Sequence, residues 1–279
     1  MKKRIAQIIP LAYGRLFNVM VLFSKRATAI KAFRVFCTIR KGKVLARQRQ
    51  FLDEAKFKRI SIAEHEIQAY RWKGTGDTVL LLHGWESNTF RWRNLIKKLQ
   101  ENNFNILAFD APAHGYSNGK ILHVPLYAEV TRHFLDTFKP TLAVAHSVGG
   151  MNIHYVHYLK PESSLKKIVT VGAPAEFEQF MNHYQGILKF NDKVKRAMNH
   201  RLKEWFGYYF NEFTSMRFVE KNTKKGLLFH DEDDLQVPVE ASRKVHKHWK
   251  GSELVITKGL GHSMHQPEVN EKIIAFLKH

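Results

Sequence analysis

A chain of 279 residues that is 44% hydrophobic and 25% charged can bury the core of one large α/β domain, and its composition excludes a disordered polypeptide. A single cysteine, Cys37, excludes an intrachain disulfide and a cysteine-based zinc site; no catalytic signature surrounds it, so it reads as apolar filler. The formal net charge is +20, and residues 1–60 supply +14 of it, with sixteen Lys/Arg against only Asp53 and Glu54.

That imbalance sets residues 1–60 apart as a basic amphipathic extension of a domain over residues 61–279. Such a segment is drawn to anionic lipid headgroups or to nucleic acid. Lys2-Lys3-Arg4 precedes a mostly apolar stretch over residues 5–23, which Arg15 and Asn18 interrupt and Pro10 and Gly14 are expected to kink. Lys25, Arg26, Lys31, Arg34 and Arg40 then alternate with Ile30, Phe33, Val35 and Phe36. Three placements fit: a helix in the membrane interface with Lys/Arg reaching headgroups, a helix packed on the domain, or a signal or spanning segment. A span would have to bury Arg15, at roughly 2.5–3.5 kcal/mol.

From residue 64 short apolar runs alternate with amphipathic stretches. Strands are expected at residues 67–72, 78–82, 105–110, 141–145, 167–171, 226–229 and 253–257. Helices are expected at 90–100, 126–138, 148–159, 239–249 and 269–278. Continuous apolar strands between helices imply a mostly parallel central sheet covered on both faces. In such sheets functional groups collect at the carboxyl ends of the strands, where His83-Gly84, Asp110, His146-Ser147, Asp234 and His262 all fall. An insertion over residues 175–225 breaks the alternation and holds eleven of the 34 aromatic residues, at helical spacings. It reads as a helical cap, with Trp205 a candidate for lining an apolar acyl pocket.

The sequence Ala145-His146-Ser147-Val148-Gly149-Gly150 follows a strand and opens a helix, the setting of a nucleophile elbow. The serine there sits on a sharp turn that needs small residues two positions before and after it. Gly149 supplies one, and Ala145 stands where glycine is usual. A serine hydroxyl needs a base, and the base an orienting carboxylate. His262, in Gly259-Leu260-Gly261-His262 after the last strand, is the base candidate; Asp231, Asp233 and Asp234 compete for the acid.

These motifs resemble the α/β-hydrolase superfamily over residues 64–279. Members often carry an aspartate ahead of Val-Pro, as in Asp234-Leu235-Gln236-Val237-Pro238. The resemblance implies Asp234 as the orienting acid and leaves Asp231 and Asp233 as solvated loop charges. It also implies that the loop His83-Gly84-Trp85 helps form an oxyanion hole, with the backbone amides of Trp85 and Val148 as donors. The Trp85 indole is then either packing or pocket wall, a substrate-binding candidate beside Trp205. Asp110-Ala-Pro-Ala-His114-Gly115-Tyr-Ser117 resembles the family's Asp-x-x-Gly-x-Gly-x-Ser loop, with His114 in place of a glycine, and is expected to support the oxyanion loop.

The sixteen histidines contain no His-Glu-x-x-His pattern, and no phosphate or dinucleotide fingerprint occurs. No metal or cofactor is therefore expected, nor, without a recognisable module, nucleic acid. The expected activity is serine hydrolysis of a small-molecule carboxylic ester with an apolar or lipid-like acyl group. The alternatives are an acyltransferase using the same acyl-enzyme and a non-catalytic receptor on the same fold. The expected location is cytoplasmic, peripheral on the inner membrane surface.

Overall fold

A computed structural model describes residues 2–279. Met1 and the side chains of residues 2–7 and 57 lie outside the described part, so the cations of Lys2-Lys3-Arg4 and the side chain of Ile5 do too. In chain order the elements are α1 (Lys2–Phe23), α2 (Lys25–Cys37), α3 (Ala46–Asp53), β1 (Lys56–Ile62), β2 (His65–Trp72), β3 (Thr78–Leu82), α4 (Arg93–Glu101), β4 (Asn105–Phe109), α5 (Val124–Phe138), β5 (Leu142–His146), α6 (Val148–Leu159), β6 (Lys167–Val171), α7 (Phe177–Leu188), α8 (Asp192–Phe206), α9 (Ser215–Val219), β7 (Lys225–Asp231), α10 (Glu240–His248), β8 (Ser252–Thr257) and α11 (Pro267–Lys278). They divide into two compact units: residues 39–175 with 215–279, and residues 1–38 with 176–214.

The larger unit is built on an eight-stranded sheet of order β1-β2-β4-β3-β5-β6-β7-β8. β2 runs antiparallel to β1 and to β4, and every pairing from β4 to β8 is parallel. The parallel strands are buried on both faces because each face carries helices. On one face Ile106, Leu81 and Val144 pack with Leu95, Ile96 and Leu99 of α4 and Ile273, Ile274 and Leu277 of α11. On the other, Phe109 stacks on Phe134 of α5 at 4.4 Å and meets Tyr127 edge-on. The register pairs Leu82 with Ala145, His146 with Val171, Val171 with Phe229 and Asp231 with Thr257. The carboxyl ends of β3 and β5–β8 therefore lie along one edge of the sheet, and the loops leaving them share that edge.

Strand β1 was not expected from the sequence, which reads its Lys56, Lys58 and Arg59 as the end of the basic extension. Those three side chains are exposed, and exposed lysines are a common guard on an edge strand. Alternation shows only once the strand is paired with β2.

The second unit unites the N-terminal helices with α7 and α8 of the insertion. Ser24 caps α2, its Oγ accepting the Ala27 N–H at 3.1 Å. Phe33 of α2 lies 5.6 Å from the Trp205 ring and 6.0 Å from Phe206, Phe36 meets Tyr184 edge-on, and the Tyr184 hydroxyl donates to the Ala32 carbonyl at 3.0 Å. α1 runs unbroken through Pro10 and Gly14. Gly14 is required there: a Cβ would stand 1.7 Å from the Leu188 carbonyl oxygen at the end of α7. Asn18 ties the same turn, accepting the Asn191 N–H at 2.7 Å. Cys37 is fully buried. Of the eleven aromatics of the insertion, Phe218 belongs to the sheet unit, on α9 against Tyr155 and Tyr158 of α6. Among the described residues, no helix is long and apolar enough to cross a membrane.

Candidate active site

The turn between β5 and α6 puts Ser147 at φ 52°, ψ −123°, a region non-glycine residues occupy only under strain. The surrounding packing enforces it. The Ser147 N–H donates to the Val171 carbonyl at 2.9 Å. A Cβ on Gly149 would lie 2.7 Å from the Leu82 carbonyl oxygen and 2.8 Å from that of His83. A Cβ on Gly84 would lie 3.0 Å from the Ser147 Cβ. Ala145 is completely buried in β5, so its extra methyl is absorbed in the sheet. α6 starts at Val148, so its first amide has no intrahelical acceptor and the positive end of the helix faces the serine turn.

His262 approaches from the loop after β8. Its ring lies against Gly172: a Cβ there would be 3.2 Å from Nδ1 and 3.3 Å from Cε1. Gly172 directly follows Val171, which accepts the Ser147 N–H. His146 links the two loops again, with Nε2 2.9 Å from the His262 carbonyl oxygen and the two rings 4.7 Å apart. Burial, and then the charge of Arg91, hold the His146 pKa well below the usual histidine value, so Nε2–H of the neutral ring donates.

Asp234 lies 2.6 Å from His262, Oδ2 to Nδ1. Its Oδ1 accepts the N–H groups of Gln236 and Val237 at 2.8 and 2.9 Å. That turn accounts for an aspartate three residues ahead of Val237. Burial raises the Asp234 pKa, but hydrogen bonds from His230, His262 and the two amides outweigh it, leaving the pKa well below the ordinary carboxylate value. The carboxylate is thus ionised and holds the imidazole by Nδ1, which leaves Nε2 for proton transfer.

Two residues of this corner escape sequence reading. His230 is buried, with Nε2 2.8 Å from the Val237 carbonyl and 3.4 Å from Asp234 Oδ2, and Nδ1 2.6 Å from the Ser242 hydroxyl. Asp231, expected to be a solvated loop charge, is completely buried. It accepts the Thr257 hydroxyl at 2.7 Å, the amides of Leu260 and Gly261 at 3.0 Å each, and the Asp233 amide at 3.0 Å. Asp233 is exposed, and its carboxylate accepts the Gly259 N–H at 3.1 Å. Both carboxylates shape the loop that carries His262; only the pairing of β7 with β8 brings them to it. Arg91 adds a third brace, donating from Nη2 to the Ser263 carbonyl at 2.9 Å while stacking 4.5 Å over Trp92. Burial lowers its pKa to about 9.

The loop after β3 rests on the loop after β4. Asp110 accepts the Tyr70 hydroxyl and the amides of Thr89 and Tyr116, at 2.8, 2.9 and 2.9 Å. His83 Nε2 accepts the Ala111 N–H at 2.9 Å, and His114 Nε2 accepts the Glu86 N–H at 3.0 Å. Burial lowers the pKa of His83 to about 4 and that of His114 to about 3, so both rings are neutral and can accept in this way. His114, in place of a glycine, holds the residue after Trp85. Trp85 is half-buried, its ring edge-on to His114 at 6.4 Å. Trp205 lies in α8 of the other compact unit, with the Arg201 guanidinium 5.6 Å from its ring centre.

A mostly parallel sheet with a strained serine turn at β5 and an Asp–His pair on the loops after β7 and β8 is the arrangement of the α/β-hydrolase fold. The model of the alpha/beta hydrolase fold family matches residues 77–192. The chain is 27% identical over 151 residues to a pimeloyl-[acyl-carrier protein] methyl ester esterase of Vibrio vulnificus, covering 52% of this chain and 54% of that one. The chain thus spans about half the length of the curated relatives it matches. Among solved structures, Est1E of Butyrivibrio proteoclasticus with ferulic acid bound superposes with a TM-score of 0.65 at 20% identity, over 79% of this chain and 97% of that one. An esterase from Exiguobacterium antarcticum gives 0.61 at 18%, over 80% and 100%. At these identities the superpositions speak to the fold. The family match over residues 77–192 and these superpositions agree on the α/β-hydrolase fold.

Proposed function

We propose that the chain is a carboxylic ester hydrolase working through an acyl-enzyme on Ser147. The observation that carries this reading is the convergence on Gly172 of the strained Ser147 turn and the His262 ring, with His262 tied to Asp234 at 2.6 Å. In the first half-reaction Ser147 Oγ attacks the ester carbonyl and His262 Nε2 takes its proton. The amides of Trp85 and Val148 hold the developing oxyanion; one such donor is worth roughly 2.7–4 kcal/mol. The C–O bond breaks and the alcohol leaves with the proton from His262. In the second, water attacks the acyl-serine, His262 relays its proton, and the free acid departs. Asp234 fixes the imidazole tautomer throughout.

The substrate we assign is a small-molecule ester with an apolar or lipid-like acyl group, met at an anionic membrane surface that the basic extension engages. The match to a methyl ester esterase and the aromatic content of the insertion support the ester and the apolar acyl group. Trp85, on the loop after β3, is the side chain assigned to contact it.

The test is labelling with a fluorophosphonate probe, read by intact mass and peptide mapping, followed by rates on p-nitrophenyl esters of rising chain length. One adduct on Ser147, absent in Ser147→Ala and His262→Ala, is the expected result. Folded protein that takes no adduct would overturn the mechanism. Rates at background across the whole ester series would overturn the substrate assignment.

A further inference from the structure

Helix α1 presents an apolar face to solvent. Helices of water-soluble domains ordinarily turn their apolar stripe inward, and α1 does bury one, through Phe17 and Val21. Its opposite face is apolar as well: Ile8, Ile9, Leu16, Val19, Leu22 and Phe23 are all exposed, Phe23 at 86%. Their spacing carries this second stripe along four turns on one side of the helix. Arg15 lies within the stripe and is itself exposed. A contiguous apolar patch of this kind marks a surface meant to be covered.

The charge around it identifies the cover. Residues 1–38 contain eight Lys/Arg and no Asp or Glu. Arg15, Lys25, Arg26, Lys31 and Arg34 are exposed, and among the described residues none of the five forms an ion pair. We infer that the outward face of α1 docks on an anionic lipid bilayer, its apolar stripe entering the headgroup–acyl boundary and the flanking cations meeting lipid phosphates and carboxylates. Long cationic side chains such as Arg15 can extend out of an apolar face to reach headgroups. A second copy of the chain is a poorer match for these cations, since each copy carries a net +20 and the two would repel. The helix lies on the bilayer rather than through it, because it is not apolar enough to span.

This inference deepens the membrane part of the reading above and does not depend on the acyl-enzyme. The experiment uses the full chain and sedimentation with vesicles of phosphatidylcholine alone or with about 30 mol% phosphatidylserine. Binding is expected to the anionic vesicles and to fall away in high salt. The exposed double variant Val19→Asp/Phe23→Asp and the charge variant Lys25→Glu/Arg26→Glu should each weaken it about tenfold or more. Turnover of a short soluble ester should be unchanged in both, as should the melting temperature, because neither pair is buried. Equal sedimentation with neutral and anionic vesicles, or none with either, would overturn the inference. So would a wild-type dimer that Val19→Asp/Phe23→Asp converts to monomers, which would assign the face to a second copy. Loss of ester turnover in wild type with vesicle binding intact would fail the hydrolase reading alone.

Discussion

The carboxylate of Asp231 accepts the backbone N–H of Gly261, the residue immediately before His262, at 3.0 Å. The same side chain bridges β7 to β8 through Thr257 and takes the Leu260 amide. Burial pushes its pKa up, and its four hydrogen bonds more than reverse that, so it stays below the ordinary carboxylate value. Through the Leu260 and Gly261 amides it holds the loop that carries His262, the proposed base. Asp231→Asn exchanges an acceptor for a donor among N–H groups. The expected result is a tenfold or greater loss in the labelling rate of Ser147, about 1.4 kcal/mol, with KM for a short ester nearly constant. A loss confined to thermal stability, with kcat intact, would reduce Asp231 to a structural brace.

Asp234 touches the proposed base, His262, directly. In Asp234→Asn the amide can donate to His262 Nδ1 and so favour the tautomer that occupies Nε2 with a proton. A fall in kcat of about 10⁴ is expected, the magnitude known for the equivalent exchange in the serine protease triad. Steady-state ester hydrolysis checks it; a fall under tenfold would move the acid's role elsewhere.

Gly115 is held at φ +47°, and a Cβ there would stand 1.9 Å from Asp110 Oδ2. Gly115→Ala therefore forces the Asp110 carboxylate away from Thr89 and Tyr116, and with it the support of the loop carrying Trp85. A destabilisation above about 2 kcal/mol is expected, measured by urea unfolding. A change under about 0.5 kcal/mol would mean the loop absorbs the methyl.

Acid should unfold the protein through its buried imidazoles. Burial lowers the pKa of His83 and His157 to about 4 and of His114 and His154 to about 3, against about 6.5 in the unfolded chain. Between those values the unfolded state binds more protons, so stability is intact above about pH 6.5 and falls as pH drops toward 4. Each such histidine contributes a slope of about 1.4 kcal/mol per pH unit. Both ring nitrogens of His154 lack a hydrogen-bond partner, and Trp249 meets its ring edge-on at 5.5 Å. His154→Phe should flatten the decline of the urea midpoint between pH 6 and pH 4. An unchanged slope would place the acid sensitivity on other groups.

The strands of the parallel sheet were legible because each is a short, nearly unbroken apolar run; residues 167–171 and 148–159 coincide with β6 and α6. Ser147 was legible because strand, small residues and helix are contiguous around it. The acid was not legible from composition, since three aspartates lie within four positions and differ only in what folds against them. Asp231 resembles a loop charge in sequence because its four donors come from Asp233, Thr257, Leu260 and Gly261, three of them more than twenty-five residues away.

What the sequence by itself determined is the alternation of buried strands and amphipathic helices, and the serine turn, because both are set by residues a few positions apart. What only the tertiary structure decided is the partnership of distant segments. The joining of α1 and α2 with α7 and α8 into one unit rests on pairs such as Tyr184 with Ala32, and the exposure of one apolar face of α1 depends on which other face they cover. Local pattern states that a helix has two apolar sides. Burial, which depends on what approaches across some 150 residues of chain, determines which of them meets the solvent.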